Sequence, residues 1–200
     1  MAGEPQVRGW ISLEEARGIP GRKVVAVGTF DGVHLGHQAV VQALLARVRE
    51  VPDLMPAVVS FHPHPVSVLD PPRAPRLLSL PHERAQALVT LGVPLRILVP
   101  FVPALAALSA PEFAAHVLQE QLGAAEVVVG FNFRFGRGGE GSGRALEDAG
   151  LRTHVVPPVY VGTEVVSSTR IRHLLAAGKV EEAQVLLGRP YRVGGTVVAG

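Results

Sequence analysis

The chain has 200 residues, of which 48% are hydrophobic and 18% are charged, so it can bury a sizeable core and global disorder is excluded. It contains no cysteine, which excludes disulfides, thiolate metal sites, iron–sulfur clusters and cysteine nucleophiles. The 19 basic and 17 acidic residues give a net charge of +2, which is too balanced to indicate a nucleic-acid binder.

The N-terminal segment and the most apolar stretch both argue against a membrane protein. The opening sequence MAGEPQVRGW lacks the apolar core of a signal peptide. The stretch Ile97–Ala110 is interrupted by Pro100 and Pro103 and is too short to span a bilayer. The sequence therefore predicts a soluble, cytoplasmic protein.

Apolar runs rich in β-branched residues alternate with helical patterns along the chain. In chain order, the first half predicts a strand over Lys23–Phe30, a helix over Gly36–Val51, a strand over Ala57–Phe61, an irregular segment over His62–Ser79, a helix over Pro81–Leu91 and a strand over Leu95–Val99. The second half predicts a helix from the capping box Ser109–Glu112 to Leu122, a strand over Glu126–Val129, a short helix over Arg144–Ala149, a strand over Thr153–Val156, an extended segment over Val159–Val166, and helices over Thr169–Ala177 and Val180–Leu187.

The repeated order of strand, helix and strand with short connections predicts an α/β fold, in which a parallel sheet has helices on both faces. Ligands of such sheets bind beyond the carboxyl ends of the strands. The segments that begin at Thr29, His62, Pro100 and Gly130 each follow a predicted strand. We therefore expect them to meet at one edge of the sheet and to form the site there.

The segment Gly28–His37, GTFDGVHLGH, leaves the first predicted strand and enters the first predicted helix. A helix N-terminus exposes unpaired amides and a partial positive charge, and so it attracts phosphate. Gly32 and Gly36 let the backbone approach a ligand closely, and His34 and His37 can both turn toward one oxyanion. The alternative is that both histidines only cap the helix or face water. The ten-residue context at a strand end favours phosphate binding.

The segment Ser167–Arg172, SSTRIR, places three hydroxyl groups at the start of a predicted helix and two arginines directly after them. This combination suits a polyphosphate. Taken alone, the segment is more often an ordinary helix cap with solvated arginines.

The segment Phe61–Pro65, FHPHP, follows the second predicted strand. Its prolines and its phenylalanine would form a stiff apolar wall. Alternatively, His62 and His64 would supply half of a metal site.

The segment Gly130–Gly136, GFNFRFG, follows the fourth predicted strand. Its three phenylalanines, which surround Asn132 and Arg134, suit a flat aromatic ligand. They are also compatible with a hydrophobic core beside a loop.

The next segment, Gly136–Gly141, fits the GxGxxG pattern of dinucleotide-binding loops. It does not directly follow a predicted strand, the next predicted helix is short, and no acidic residue ends the following strand. These departures indicate a flexible loop rather than a dinucleotide fingerprint.

These motifs, in this order, resemble the bacterial bifunctional riboflavin kinase/FAD synthetase family over about Arg22 to Val198. The resemblance implies a Rossmann-like nucleotidyltransferase fold that converts FMN and ATP to FAD and pyrophosphate with Mg2+. It implies an FMN adenylyltransferase domain over 1–187 and, over 188–200, the opening strand of a truncated kinase β-barrel. Riboflavin kinase activity is therefore not expected from these residues.

The resemblance also implies roles for individual residues by motif position. We expect His34 and His37 to contact the ATP phosphates, chiefly in the transition state, and Arg172 to act with them as a catalytic residue. The other expected ATP-binding residues are Gly28, Thr29, Phe30, Asp31, Gly36, Ser167, Ser168, Thr169 and Arg170. The expected FMN-binding residues are Phe61, His62, Pro63, His64, Pro65, Asn132, Phe133, Arg134 and Phe135. Asp31 either positions its motif or reaches the metal through water, and no metal ligand is assigned.

Three alternatives stay open from the sequence. The first is another HxGH nucleotidyltransferase with a different substrate. The second is a metallohydrolase in which His34, His37, His62 and His64 act with Asp31. The third is a flavin- or nucleotide-binding remnant without turnover. No nucleic-acid or membrane partner is expected, and the oligomeric state is left open.

Overall fold

The structure, a computed structural model, describes residues 9–194, and a five-stranded parallel sheet forms its centre. The strands are β1 (Lys23–Val27), β2 (Met55–His62), β3 (Leu95–Pro100), β4 (Ala124–Gly130) and β5 (Arg152–Val156). Their spatial order is β3-β2-β1-β4-β5, and every neighbouring pair is parallel. The predicted α/β fold with a parallel sheet is confirmed.

The helices are α1 (Leu13–Arg17), α2 (Leu35–Glu50), α3 (Pro65–Leu69), α4 (Pro81–Thr90), α5 (Pro103–Ala106), α6 (Ala110–Glu112), α7 (Gly143–Asp148), α8 (Ser168–Ala176) and α9 (Val180–Leu187). α6 continues directly into a π-helical segment, Phe113–Gln121, and short 3-10 turns cover Pro71–Arg73 and Arg137–Gly139. The strands β6 (Tyr160–Val161) and β7 (Glu164–Val165) form an antiparallel hairpin. None of the helices within residues 9–194 is long and apolar enough to cross a membrane.

Alternate residues of β1 face opposite sides of the sheet, and both sides are covered. Val24 and Ala26 belong to one hydrophobic core with residues of α2 and α4. Val25 and Val27 belong to a second core with residues of the π-helical segment. All five residues of β1 are therefore buried, as expected for a central strand of a parallel sheet. A third, smaller core joins α8 and α9 to Leu78.

The strand order reverses at β1, which pairs with β2 on one side and with β4 on the other. The chain leaves β1 toward α2 and β2, whereas it leaves β4 toward α7 and β5. The loops after β1 and β4 therefore diverge and open a crevice at the carboxyl edge of the sheet. In doubly wound sheets this crevice is where ligands bind.

The predicted strands and long helices are confirmed, with differences at their ends. The first strand ends at Val27 rather than at Phe30, whose φ of 50° is incompatible with extended backbone. Helices α1, α3 and α5 were not predicted, because four or five residues are too few to establish a helical period. The extended segment Val159–Val166 contains the β6–β7 hairpin.

The C-terminal tail is described only in part. Residues 188–194 form no helix or strand, and residues 195–200, like residues 1–8, lie outside the described part of the chain. The barrel strand predicted over 188–200 and the domain boundary at 187 therefore stay predictions, although α9 does end at Leu187.

Candidate active site

A cavity of about 570 Å3 opens at the carboxyl edge of the sheet. Its wall is built from the segments that follow β1, β2, β3 and β4 and from the start of α8. The residues predicted for the site that line it are Gly28, Thr29, Phe30, His34, Gly36, His37, Phe61, Pro65, Asn132, Phe133, Arg134, Phe135, Ser167, Ser168 and Thr169. The predicted convergence of the strand ends on one site is therefore present.

Six residues predicted for the site do not line this cavity: Asp31, His62, Pro63, His64, Arg170 and Arg172. His64 instead caps α3, where its Nδ1 accepts a hydrogen bond from the amide of Val66 at 3.3 Å. The side chain of Arg170 forms an ion pair with Glu164 at 2.8 Å on the β6–β7 hairpin. The sequence motifs thus include residues that shape the site as well as residues that line it.

The segment between β1 and α2 has a strained backbone that neighbouring side chains hold in place. Phe30 and Val33 have positive φ angles of 50° and 42°, which L residues rarely adopt. The Thr29 carbonyl accepts hydrogen bonds from Ser60 Oγ at 2.9 Å and from Arg84 Nη1 at 2.7 Å. On the other side of the loop, the Arg189 guanidinium donates to the carbonyls of Gly32 and Val33.

His34 and His37 stack face to face, with ring centroids 3.7 Å apart. His34 is the N-cap of α2, and its Nδ1 accepts a hydrogen bond from the His37 amide at 3.3 Å. Both rings line the cavity. The alternative that the two histidines only cap the helix or face water is therefore an incomplete description of them. Nδ1 of His37 is buried and has no hydrogen-bond partner among residues 9–194.

Both histidines are neutral at neutral pH. Burial lowers the pKa of His34 to about 4, with Arg172 and Arg189 acting in the same direction and Asp31 opposing them. Burial, followed by the charges of His34 and Arg84, lowers the pKa of His37 well below its ordinary value. A neutral imidazole keeps one N–H donor, so each ring can donate to an oxyanion without carrying a fixed charge.

Asp31 lies behind the cavity and holds three parts of the chain together. Its carboxylate accepts hydrogen bonds from the amides of Leu78 and Ser79 at about 3 Å and from Arg172 Nη2 at 2.6 Å. Its side chain is 1% exposed. Of its two predicted roles, these bonds support positioning of the motif.

The start of α8 is joined directly to the β1–α2 segment. Ser167 caps the helix by accepting a hydrogen bond from the Arg170 amide, and Ser168 Oγ donates to the Asp31 carbonyl at 3.0 Å. Arg172 Nε donates to the Arg76 carbonyl at 2.7 Å while its Nη2 binds Asp31. Two helix N-termini, those of α2 and α8, therefore meet at one end of the cavity, which suits a polyphosphate.

The other end of the cavity is aromatic. Phe133 stacks on Phe135 at 5.5 Å, Phe135 packs on Phe113 at 5.7 Å, and Phe61 meets Phe101 edge to face at 5.8 Å. All five rings also line the cavity. Phe61, Phe113 and Phe135 are at the same time core residues, so packing in the core and lining of the cavity are compatible here, and the binding of an aromatic ligand stays a prediction.

The glycine-rich segment after Phe135 forms hydrogen bonds with the rest of the site, and the flexible loop predicted there stays a prediction. Phe135 and Gly141 exchange two backbone hydrogen bonds, the Arg137 amide donates to the Leu108 carbonyl at 2.7 Å, and Glu140 Oε1 accepts from the Ala110 amide at 2.9 Å. The segment begins several residues after β4 ends and precedes α7, which has only six residues, in keeping with the departures from the dinucleotide pattern noted in the sequence.

The motifs missed several residues that shape the site, of which Arg84 is the most unusual. Arg84 lies on α4 and is 2% exposed. Its position was visible in the sequence as a charged residue four positions before Leu88, on the helix face that is buried in the core. Phe101 and Phe113 carry no motif of their own, and only the fold brings them to the cavity.

Within residues 9–194, no group of three or more His, Asp or Glu side chains is placed to hold a metal ion. The two histidine pairs and Asp31 do not converge, which removes the geometric basis of the metallohydrolase alternative. Mg2+ commonly keeps several waters and binds through substrate phosphates rather than through a protein cage. A Mg2+ ion at the end of the cavity where α2 and α8 begin would therefore be held mainly by a polyphosphate.

A family model described as FAD synthetase matches residues 17–170. Among curated proteins, the chain is similar to the bifunctional riboflavin kinase/FMN adenylyltransferases of Listeria monocytogenes (36% identical over 182 residues), Bacillus subtilis (36% over 185) and Escherichia coli (34% over 183). These alignments cover 88–90% of this chain but only 57–58% of each relative.

Among solved structures, the chain is similar to one described as a macrolide-efflux protein from Streptococcus pneumoniae. The TM-score is 0.80 at 31% sequence identity, and the match covers 90% of this chain and 60% of that chain. This likeness supports the Rossmann-like arrangement of the sheet and helices.

Proposed function

The chain belongs to the FAD synthetase family, and from that premise we propose that it transfers the AMP group of ATP to FMN, giving FAD and pyrophosphate. It would thus act as an enzyme of the nucleotidyltransferase class, with ATP and FMN as its substrates. Because ATP is available inside the cell, we place the reaction in the cytoplasm.

The observation that carries this proposal is the pairing of two unlike surfaces in one cavity. One end combines the N-termini of α2 and α8 with the stacked pair of His34 and His37. The other end presents the five phenylalanines described above. The first surface suits the phosphates of ATP and FMN, and the second suits the isoalloxazine ring.

The chemistry needs alignment and charge neutralisation rather than a nucleophile from the protein. An oxygen of the FMN phosphate attacks the α-phosphorus of ATP, a new P–O bond forms, and the bond between the α-phosphorus and the α,β-bridging oxygen breaks. The departing electron pair stays on pyrophosphate. Because the FMN phosphate is already an anion, no general base is required.

The roles we propose at the phosphate end follow from the donors that line it. His34 and His37 donate to phosphate oxygens as charge builds on them in the transition state. Ser167, Ser168 and Thr169 bind the triphosphate at the mouth of α8. Arg172 acts either by reaching the phosphates or by fixing Asp31, to which it is bound.

Mg2+, when bound with ATP, would neutralise phosphate charge and orient the triphosphate. Asp31 would support this end through its bonds to Arg172, Leu78 and Ser79 rather than as a direct ligand.

At the aromatic end, Phe61, Pro65, Phe133 and Phe135 would enclose the flavin ring. Asn132 and Arg134 are exposed side chains on the same wall, and we propose that they bind polar groups of FMN. The prediction that His62, Pro63 and His64 contact FMN has less support, because they lie outside the cavity wall.

The test is incubation of the protein with FMN, ATP and Mg2+, followed by chromatographic detection of FAD and by a pyrophosphate assay. We expect equal amounts of both products. Riboflavin is the matched control, because it has the same ring system but lacks the attacking phosphate, and it should give no FAD. Quenching of FMN fluorescence without product formation would support the non-catalytic remnant instead, and absence of quenching at high FMN would reject FMN as the substrate.

A further inference from the structure

Arg84 is a buried arginine that forms no ion pair with any carboxylate within residues 9–194. It is 2% exposed, and its Nη1 donates to the Thr29 carbonyl at 2.7 Å and to Ser60 Oγ at 3.2 Å. Its Nε is buried and has no hydrogen-bond partner in this part of the chain. A guanidinium in such a position keeps its charge, because no ordinary environment deprotonates it.

This arrangement is unfavourable for the free protein. Burial lowers the pKa of Arg84, and the nearby Asp31 carboxylate offsets this effect only in part. Asp31 is already bound to Arg172 and to two amides. The titratable side chains that Arg84 influences, His37, His62 and His64, all have lowered pKa values and supply no negative charge. A buried charge without a counter-charge is costly, and proteins rarely retain one without a use.

Arg84 is separated from the cavity by a single peptide unit. The Thr29–Phe30 peptide is not cis, so its C=O and N–H point in opposite directions. Its carbonyl points to Arg84 and Ser60, and its N–H therefore points away from them. Thr29 and Phe30 both line the cavity, and no acceptor within residues 9–194 is found for the Phe30 N–H.

Two effects follow from this geometry. The hydrogen bond from Arg84 fixes the orientation of the peptide and polarises it, which makes the Phe30 N–H a stronger donor. The guanidinium also places a full positive charge directly behind the phosphate end of the cavity, where water does not screen it well. An anion bound at that end would supply the counter-charge that Arg84 lacks in the free protein.

We propose that Arg84 is a positioning residue that orients the Thr29–Phe30 peptide toward the ATP phosphates and completes its own charge balance only when ATP binds. The proposal rests on the function proposed above, because it takes ATP as the anion. Under this proposal, Arg84 lowers the folding stability of the free protein and raises its affinity for ATP. These two effects can be measured separately.

The experiment compares Arg84→Met, Arg84→Lys and Arg47→Met with the wild-type protein. Met fills a similar volume without charge, and Lys keeps the charge but loses the planar fork. We expect Arg84→Met to raise the KM for ATP about tenfold or more, with no fall in the thermal unfolding midpoint of the free protein. ATP should raise the thermal unfolding midpoint of the wild-type protein, and this increase should be smaller in Arg84→Met. Arg84→Lys should recover part of the ATP affinity.

Arg47 is the matched control, because it is a second largely buried arginine but is paired with a carboxylate, Glu126, at the opposite edge of the sheet. Arg47→Met should lower the unfolding midpoint and leave the KM for ATP unchanged.

Three results would overturn the proposal: an unchanged ATP affinity in Arg84→Met, a fall in its unfolding midpoint like that of Arg47→Met, or failure of Arg84→Met to fold. Direct calorimetric titration with ATP and Mg2+ keeps the test independent of turnover. A wild-type protein that binds ATP but makes no FAD would reject the proposed function alone. Full FAD synthesis with unchanged ATP affinity in Arg84→Met would reject only the role of Arg84.

Discussion

Arg47 and Arg84 are both largely buried, yet they lie at opposite edges of the same sheet and have different partners. At the amino edge, Arg47 Nε and Nη2 donate to the two carboxylate oxygens of Glu126 at 2.8 and 2.9 Å, and His154 contacts the same carboxylate at 2.7 Å. At the carboxyl edge, the hydrogen-bond partners of Arg84 among the described residues are a carbonyl oxygen and a hydroxyl oxygen.

The comparison sets a paired charge network at the amino edge against the site that we propose for catalysis at the carboxyl edge. The Glu126 network satisfies each buried charge with an opposite one, which is the arrangement that a stable folded state favours. The carboxyl edge instead holds a cation without a carboxylate partner among residues 9–194, two neutral stacked histidines and two residues with positive φ angles. Those features disfavour the free protein, and under the role proposed for Arg84 they become useful when an anion binds.

Among the variants at the carboxyl edge, replacement of His37 by alanine has the largest expected effect. We expect kcat to fall about 100-fold or more, because a donor to the developing charge is lost, while the KM for ATP changes much less. Steady-state kinetics with varied ATP would measure both. His116→Ala is the control, since His116 is an exposed residue paired with Glu120 away from the cavity. An unchanged kcat in His37→Ala would reject the transition-state role.

Replacement of Gly136 by alanine tests the aromatic end. Gly136 has a φ of 75°, and a Cβ there would lie 2.6 Å from the Ala110 amide nitrogen, so the segment that carries Phe133 and Phe135 must move. We expect the Kd for FMN, measured by fluorescence quenching, to rise about tenfold, as for a loss of 1–2 kcal/mol of ring contacts. Gly138→Ala has a similar φ of 65° but open space around the Cβ, and should leave the Kd nearly unchanged. Equal effects of the two variants would show that backbone strain, rather than the clash, is responsible.

Replacement of Arg47 by methionine tests the amino edge by itself. The change leaves the Glu126 carboxylate, whose side chain is 6% exposed, without its main partner. We expect the unfolding midpoint to fall by several degrees, because an uncompensated buried charge remains. Activity at a temperature where the variant is folded should match the wild type. A loss of activity without a loss of stability would contradict the idea that the amino edge contributes to stability and not to activity.

The smallest expected effect is on acid stability. Hydrogen bonds from Arg47 and then from His154 lower the pKa of Glu126 to about 2. A depressed pKa means that the folded state favours the carboxylate, so this contribution is complete above the ordinary pKa of Glu and is lost as the pH falls toward 2. Denaturant unfolding between pH 6 and pH 3 should show this loss, and Glu126→Gln should show a weaker pH dependence. If the free energy of unfolding falls equally with pH in the wild type and in Glu126→Gln, then Glu126 is not the source of the pH dependence.

Much of the site could be predicted from local sequence patterns. The Gly28–His37 segment and the hydroxyl cluster at Ser167 each lie at a helix start, so both point to phosphate binding. Phe133 and Phe135 stand out because aromatic residues are otherwise scarce in the chain. Strand positions could be predicted because buried parallel strands are continuous apolar runs, as in Lys23–Val27.

The tertiary structure decided which polar residues line the cavity and which hold the lining residues in place. Asp31 and Arg172 belong to different motifs, yet they bind each other behind the cavity over a sequence separation of 141 residues. Arg84 carries no motif, and its role follows only from the burial of α4 against the segment after β1. Sequence determines local propensities and the order of elements, because these depend on neighbouring residues. Which charges are paired and which are left for a ligand depends on contacts between distant segments, and only the folded chain creates those contacts.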